Sequence, residues 1–296
     1  VTSNIDVITK EDIQEKNFST VSEALNTLAG INVISNGGLG KATSLFTRGF
    51  DSQRILVLID GIRYNDFTGI SGARFEHLMI TDIEQIEVIK GAQSGIWGAD
   101  ANAGVINIIT SSAKKGTYGS ISTELGSYKT KKVNMQISHK NNNFDIKLGL
   151  LKINSDGFSA QVPSGEDIDN YEDDGYKNTT INLKTGLNFD ENNRLEFTHN
   201  KLKANSEYDK GSWGATVAQK ANGEGYELET RNSYSSLSFS NKNSFSSVNA
   251  YVNYSEIDRN DPKGFTKEFD GTLREYGINT TIPYNNEKSF IQTGID

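Results

Sequence analysis

Two runs of the sequence decide the fold of its first third: IEQIEVIKG at residues 83–91 and GADANAGVINIIT at residues 98–110. Both contain stretches rich in β-branched residues, which favour strands. Two earlier apolar runs, Leu45–Gly49 and Ile55–Ile59, predict further strands. The run Ile55–Ile59 is too continuously apolar to form a strand with a solvated face. Together these runs predict a small mixed sheet.

Helix signals accompany these strands. Thr9 and Thr20 (or Ser19) are candidate N-caps, each with an acidic residue close behind and apolar residues at helical spacing beyond. Short apolar segments at residues 5–8 and 31–34 predict two more strands. We therefore expect a compact α+β unit that extends to residue 113.

The second part of the chain, residues 114–296, is dominated by alternation of apolar and polar residues, which predicts strands with two different faces. The predicted strands are Tyr118–Leu125, Lys132–Ser138, Phe144–Lys152, Asn178–Phe189, Arg194–Lys203, Asn232–Phe239, Ser244–Tyr254, Leu273–Ile282 and Ser289–Gly294. Short polar links alternate with long ones, which is typical of outer-membrane barrels. A soluble sandwich or solenoid would show the same alternation and stays open at this point.

Composition excludes several classes of protein. The chain has 30 Lys and Arg against 38 Asp and Glu, a net charge of −8, which argues against a nucleic-acid-binding face. It has no cysteine, so disulfides and thiolate metal sites are excluded. No apolar run is long enough for a transmembrane helix. The 35% hydrophobic content is low, and a barrel with a polar lumen accounts for it.

Four blocks of the first part resemble the plug domain of TonB-dependent outer-membrane receptors. They are Phe46–Gly49 (FTRG), Val57–Arg63 (VLIDGIR), Ile83–Gly91 and Gly98–Thr110. The resemblance implies a β-barrel membrane protein whose N-terminal α+β plug, residues 1–113, lies inside an antiparallel transmembrane barrel. It also implies a 22-stranded barrel, of which residues 114–296 would be about nine strands, so we expect a fragment. The implied partners are TonB, whose box is expected outside this sequence, and the outer-membrane lipid of a Gram-negative bacterium.

Within this family, two plug loops resemble those of receptors for vitamin B12 (cobalamin). The first is Asn36–Thr43 and the second is Tyr64–Arg74. Glycines let a loop backbone approach a bulky ligand, although any single glycine is more often a simple turn residue. The resemblance implies a corrinoid ligand that contacts Asn36, Gly38, Leu39, Lys41, Thr43, Tyr64, Asn65, Gly69, Ser71 and Arg74. The alternative ligand is a metal chelate, an Fe³⁺-siderophore or haem.

Acidic residues crowd the segment 167–174, where carboxylates repel one another unless a cation such as Ca²⁺ binds. Cobalamin receptors order their long loops with Ca²⁺. The resemblance maps ligands onto Glu172, Asp174, Asp209 and Glu229, so Ca²⁺ is an expected cofactor of the extracellular loops. A solvated acidic loop is the competing interpretation.

Arg48 and Lys90 occupy positions where the family places basic plug residues against glutamates of the barrel wall. They predict a plug–barrel lock. The sequence departs from the family pattern, because Lys90 replaces the usual Arg and Ala92 the usual Pro. Lysine lacks the bidentate fork of arginine, so we expect a weaker lock at this position.

Catalytic signals are absent from the sequence. The three histidines, His77, His139 and His199, are not accompanied by cysteine or by a nucleophile elbow. We therefore predict a receptor that imports its ligand through TonB and the proton gradient, and not an enzyme. A soluble or surface-bound, Ca²⁺-dependent β-rich binding module or adhesin is the alternative from another class.

Overall fold

The computed structural model describes residues 4–69, 71–160, 162, 164–167, 170–209, 226–264, 267–284 and 289–295. Within these residues the helices are α1 (Lys10–Lys16), α2 (Val21–Leu25) and α3 (Ser94–Trp97), with 3₁₀ turns at Ser52–Arg54 and Phe75–His77. The first seven strands are β1 (Asn4–Thr9), β2 (Ile31–Ser35), β3 (Thr43–Thr47), β4 (Ile55–Ile59), β5 (Ile62–Arg63), β6 (Ile83–Lys90) and β7 (Gly104–Thr110).

Nine further strands follow: β8 (Gly116–Leu125), β9 (Lys131–Lys140), β10 (Phe144–Ser155), β11 (Tyr176–Asn188), β12 (Asn193–Glu207), β13 (Glu227–Lys242), β14 (Ser247–Asn260), β15 (Glu268–Tyr284) and β16 (Ser289–Ile295). The plug is the part built from β1–β7 and α1–α3. The barrel sheet is the part built from β8–β16. The predicted boundary at residue 113 falls between β7 and β8.

The plug contains a five-stranded mixed sheet in the order β1–β6–β7–β4–β5. Strands β4 and β7 run parallel, whereas the other neighbours are antiparallel. The predicted strand at residues 31–34 is present, but it does not join this sheet. It forms β2, which pairs only with β3 in a separate hairpin, so the prediction that all these strands share one sheet is wrong.

Both predicted helix starts are confirmed as capping boxes. The Thr9 side chain caps α1 and the Thr20 side chain caps α2, and in each case the acidic residue at N3 bonds back to the cap. The apolar side of α2, which includes Val21 and Leu25, packs into the plug core with Phe75. No helix among the described residues is long and apolar enough to cross a membrane.

The barrel sheet is a continuous antiparallel meander in which each strand pairs with the next. The strand ends that border residues 156–175, 208–226 and 261–267 lie at one end of the sheet, called the long-loop end. The links at 141–143, 189–192 and 243–246 lie at the other, called the short-turn end. Strand β14 continues beyond its predicted end at Tyr254, to Asn260, and β15 begins before its predicted start at Leu273, at Glu268.

Strand β10 shows how the barrel sheet divides its two faces. Phe144, Ile146 and Leu148 point outward and are exposed, whereas Asp145 and Lys147 point toward the plug and are buried. Because side chains alternate along a strand, one sequence supplies both an apolar outer face and a polar inner face. The plug lies against the inner face, so its loops and turns meet buried polar side chains.

Candidate functional site

A cleft opens at the long-loop end, where plug loops meet the ends of the barrel strands. Its volume is about 890 Å³, counting the open mouth. Plug residues on one side face barrel residues on the other. The lining residues are Asn36, Gly40, Lys41, Ala42, Arg74, Glu76, His77, Ala160, Asp174, Ser206, Glu207, Tyr208, Asp209, Leu228 and Asp261. The structure thus brings together three of the predicted ligand residues, Asn36, Lys41 and Arg74.

The first plug loop, residues 36–42, is seated on the barrel sheet by its apolar and glycine residues. Leu39 packs against a cluster that includes Leu151, Tyr176 and Leu202 of the inner face. Gly40 has φ +76°, and a Cβ at this position would overlap the Tyr176 ring. Glycine is required here for both its backbone angle and its lack of a side chain.

Lys41 follows Gly40 and is only 7% exposed. Its Nζ donates to the carbonyl of Glu207 and lies 3.4 Å from Oδ1 of Asp174. Burial lowers the pKa of Lys41, and the nearby carboxylates of Asp174 and Asp209 oppose that effect. Lys41 therefore acts inside the cleft as the cation of an acidic cluster.

A second cleft adjoins the first and shares Gly40 and Glu76 with it. Its lining includes the predicted ligand residues Gly38, Leu39 and Thr43. The Phe158 ring from the link 156–175 closes over Gly38, where a Cβ would lie 3.0 Å from Cε1 of the ring. The five predicted residues of the first loop thus line two connected clefts.

The second plug loop carries an ion-pair network. Arg74 Nε lies 3.4 Å from Asp66 and its Nη1 lies 3.4 Å from Glu76. Burial raises the pKa of Glu76, and the Arg74 charge opposes this shift. Next to this network, His77 is buried and its Nδ1 lies 3.2 Å from the Tyr176 hydroxyl. Burial lowers the pKa of His77 to about 3, so the ring is neutral.

Two predicted ligand residues of this loop are buried within the plug, and their contact with a ligand stays a prediction. Tyr64 is 3% exposed, packs on Tyr234 with ring centroids 5.3 Å apart, and donates to the carbonyl of Arg74. Asn65 donates to the carbonyl of Ile55 at 2.8 Å and accepts from the Val57 amide at 2.7 Å. Both side chains are buried, at 3% exposure for Tyr64 and 5% for Asn65. Gly69 and Ser71, by contrast, are exposed.

The predicted calcium ligands fall into two groups. Burial, and then the charge of Asp174, raises the pKa of Asp209 to about 7, and Glu172 also hydrogen-bonds to Asp209. Glu229 is instead paired with Lys203 at 2.8 Å and Arg231 at 3.0 Å. In the part of the chain that the structure describes, no group of three or more acidic or histidine side chains is arranged for a metal. Asp169 lies outside the described residues, and calcium binding stays a prediction.

The predicted lock residues do not contact the barrel in the described residues. Lys90 is buried, pairs with Asp6 of β1 and donates to the carbonyl of Ala29, so its partners are inside the plug. Arg48 is exposed with φ +50°, and it forms no ion pair within the described ranges. Strand β6 pairs with β1, which places Lys90 beside Asp6, and its contact with a barrel glutamate stays a prediction.

The plug–barrel ion pairs that the structure does show mostly have the reverse polarity. Lys147 of β10 contacts Asp82 and Ser111, and Lys184 of β11 lies 3.4 Å from Asp60. The barrel sheet thus supplies cations to plug aspartates. These pairs were not predicted from the sequence, although the alternation of apolar and polar residues along β10 places Lys147 on the inward face.

Two pairs have the expected polarity. One is Lys41 with Asp174, described above. In the other, Arg63 of the plug lies 3.1 Å from Glu275 of β15 and also contacts Asp100. Arg63 belongs to the VLIDGIR block, one of the four blocks that resemble the plug domain. The contact involves a different arginine from the one predicted.

Known proteins match different parts of this chain. The family model described as TonB-dependent Receptor Plug Domain matches residues 1–105. The vitamin B12 transporter BtuB of Photobacterium profundum is 32% identical over 220 residues, which cover 74% of this chain and 35% of that protein. BtuB of Vibrio vulnificus is 35% identical over 168 residues, covering 55% and 27% of the two chains. The chain thus spans about a third of the length of these relatives.

Solved structures show the same fold at lower identity. A double mutant of the ferric enterobactin receptor PfeA of Pseudomonas aeruginosa has a TM-score of 0.77 at 18% identity, covering 99% of this chain and 48% of that one. The siderophore receptor PirA of Acinetobacter baumannii has a TM-score of 0.74 at 18% identity, covering 95% and 46%. The solved structures agree in fold, and the plug-domain match together with the 32–35% identical vitamin B12 transporters shows that the chain belongs to the TonB-dependent receptor family, close to the vitamin B12 receptors.

Proposed function

We propose that this chain is the plug and part of the barrel of an outer-membrane receptor that imports a corrinoid, energised through TonB and the proton gradient. The family consists of receptors and transporters and not of enzymes. The observation that carries the corrinoid proposal is the match to vitamin B12 transporters across 74% of the chain. At 220 residues this match is longer than the plug, so it extends into the barrel.

The charge of the cleft supports this choice of ligand. Its lining contains five carboxylates, those of Glu76, Asp174, Glu207, Asp209 and Asp261, and the cations Lys41 and Arg74. Both cations already pair with carboxylates, so the site offers no spare positive charge to an anionic ligand. A corrinoid carries neutral peripheral amides, which polar side chains such as Asn36 and backbone groups bind without adding charge.

The alternative ligands have less support. The solved siderophore receptors share only the fold with this chain, since their identity is below 20%. Ferric catecholates are anionic and call for clustered Arg and Lys, which the cleft does not offer. The soluble adhesin loses its basis, because the plug match and the barrel-like sheet place the chain in a membrane-receptor family.

The test is a calorimetric titration of the full-length receptor in detergent with cyanocobalamin and, separately, with a ferric catecholate siderophore. We expect heat of binding only with cyanocobalamin. Uptake of labelled cyanocobalamin by cells, with and without TonB, then tests the energy source. Binding of the siderophore alone would reverse the ligand assignment, and TonB-independent uptake would contradict the proposed mechanism.

A further inference from the structure

The second plug loop is organised around one aspartate. We call residues 66–69 and 71–74 the Asp66 loop. The Asp66 amide donates to the carbonyl of Gly72 at 3.1 Å. The Thr68 amide and hydroxyl donate to Asp66 Oδ1 at 2.9 and 2.6 Å, and Arg74 Nε approaches Oδ2 at 3.4 Å. One carboxylate therefore joins the two ends of the loop.

A barrel residue completes this arrangement. Arg259 lies near the end of β14, and its Nη2 is 2.9 Å from Asp66 Oδ2 and 2.7 Å from the Thr68 hydroxyl. Both side chains of the ion pair are almost fully buried, at 4% exposure for Arg259 and 2% for Asp66. Arg259, on barrel strand β14 and distant in sequence, thus contacts the loop at two residues, Asp66 and Thr68.

The environment of Arg259 makes this pairing obligatory. Its guanidinium stacks on Phe269, its cross-strand neighbour in β15, with Cζ 4.5 Å from the ring centroid. Its Nε is buried and has no hydrogen-bond partner among the described residues. A buried charge that lacks a counter-ion is strongly destabilising. The Asp66 carboxylate therefore determines where this guanidinium lies, and the reverse is equally true.

A second contact from β15 supports the same loop. Phe67 and Thr68 lie against Gly271, where a Cβ would come within 3.0 Å of Cε2 of the Phe67 ring. The loop is therefore held by an ion pair on β14 and by close packing on β15. Its exposed residues Gly69 and Ser71 lie beyond this attachment.

We propose that Arg259 is a positioning residue for ligand binding, an inference that rests on the proposed receptor function. Arg259 is too buried to touch a ligand in the cleft. It fixes the Asp66 loop against the barrel sheet, so that the exposed tip at Gly69 and Ser71 and the Arg74 side chain are already ordered when the ligand arrives. A loop ordered in advance binds more tightly, because less conformational freedom is lost on association.

The experiment uses the full-length receptor with a spin label at Ser71→Cys, since this part of the chain has no cysteine of its own. We expect Arg259→Met to increase label mobility and to weaken cyanocobalamin binding by about tenfold. Arg259→Lys, which keeps the charge, should give intermediate values for both. Thr68→Val removes one of the two contacts and should have a smaller effect in the same direction.

The matched control is Arg231→Met. Arg231 lies on the adjacent strand β13, opposite Asp258. It is exposed and pairs with the barrel carboxylates of Glu229 and Asp258. It should leave label mobility and binding unchanged. Folding of each variant is checked by heat-modifiable migration on gels, and Thr68→Val serves if Arg259→Met does not assemble.

Three outcomes separate the possibilities. Unchanged label mobility in Arg259→Met and Thr68→Val would overturn the proposal. Higher mobility with unchanged affinity for cyanocobalamin would overturn the role of Arg259 in ligand binding. If the parent receptor binds no cyanocobalamin, the corrinoid function fails, whereas the mobility comparison still decides whether Arg259 holds the loop.

Discussion

Lys147 of the barrel sheet and Asp82 of the plug form a buried ion pair, and the Ser111 hydroxyl contacts both side chains. Asp82 sits just before β6 and Ser111 just after β7, so the pair clamps two adjacent strand ends of the plug at once. Burial raises the pKa of Asp82, and the hydrogen bonds from Lys147 and Ser111 oppose that shift. The contact therefore depends on keeping both partners.

Lys147→Met should destabilise the packing of the plug against the barrel sheet by about 3 kcal/mol, because it leaves the buried Asp82 carboxylate without its cation. Hydrogen exchange of the amides of β6 and β7 in the full-length receptor measures this change. Lys152→Met is the control, since Lys152 lies on the same strand but is exposed. Equal protection in both variants would contradict the clamp.

Gly40→Ala should reduce ligand binding more than Gly49→Ala. Both glycines have positive φ, +76° and +87°, so both substitutions strain the backbone. Only Gly40 also faces a ring, that of Tyr176, whereas no atom lies within 4 Å of a Cβ at Gly49. Titration with cyanocobalamin should show at least tenfold weaker binding for Gly40→Ala. Similar affinities of Gly40→Ala and Gly49→Ala would mean that the packing of the first loop on Tyr176 does not affect ligand binding.

Acidification should destabilise the plug through His77. Its pKa is about 3 in the folded protein against an ordinary value of 6.5, so the unfolded chain binds the proton more readily. The stability contributed by neutral His77 is complete above about pH 6.5 and is lost as the pH falls toward 3.

Thermal unfolding of the full-length receptor between pH 7.5 and 4.5 checks this expectation. His77→Gln, which can still hydrogen-bond to Tyr176, should lose part of the pH dependence. His139→Gln is the control, because His139 is exposed on β9. If the unfolding temperature falls equally with pH in the parent and in His77→Gln, burial of His77 does not cause the pH dependence.

Calcium binding stays a prediction, and Lys41 gives a way to test it. The Lys41 ammonium is already the cation for Asp174, and Asp209 is close by. Lys41→Met should therefore raise the affinity for Ca²⁺ several-fold, because two neighbouring carboxylates then lack a counter-charge. Calorimetric titration with CaCl₂ measures it, with Asp209→Asn as the variant that should lower affinity. Absence of calcium binding by both the parent and Lys41→Met would remove calcium from this site.

Local patterns predicted the elements of this fold well. Alternation located all nine strands of the barrel sheet, and Thr9 and Thr20 marked two helix starts, because these signals involve residues close in sequence. The contact between Arg259 and Thr68 spans 191 residues, and no local pattern specifies it. It depends on the register of β14 and on the seating of the plug. The burial of Tyr64 was not predicted for a related reason: its loop resembles a ligand loop, but its ring packs in the core.

The two faces of β10 have a consequence for how this protein tolerates change. Outward residues such as Ile146 and Leu148 need only be apolar, so one aliphatic side chain can replace another with little effect. Inward Asp145 pairs with Arg194, and inward Lys147 pairs with Asp82, so each depends on a specific ion-pair partner. A saturation scan of this strand should consequently show fitness that rises and falls with every second residue.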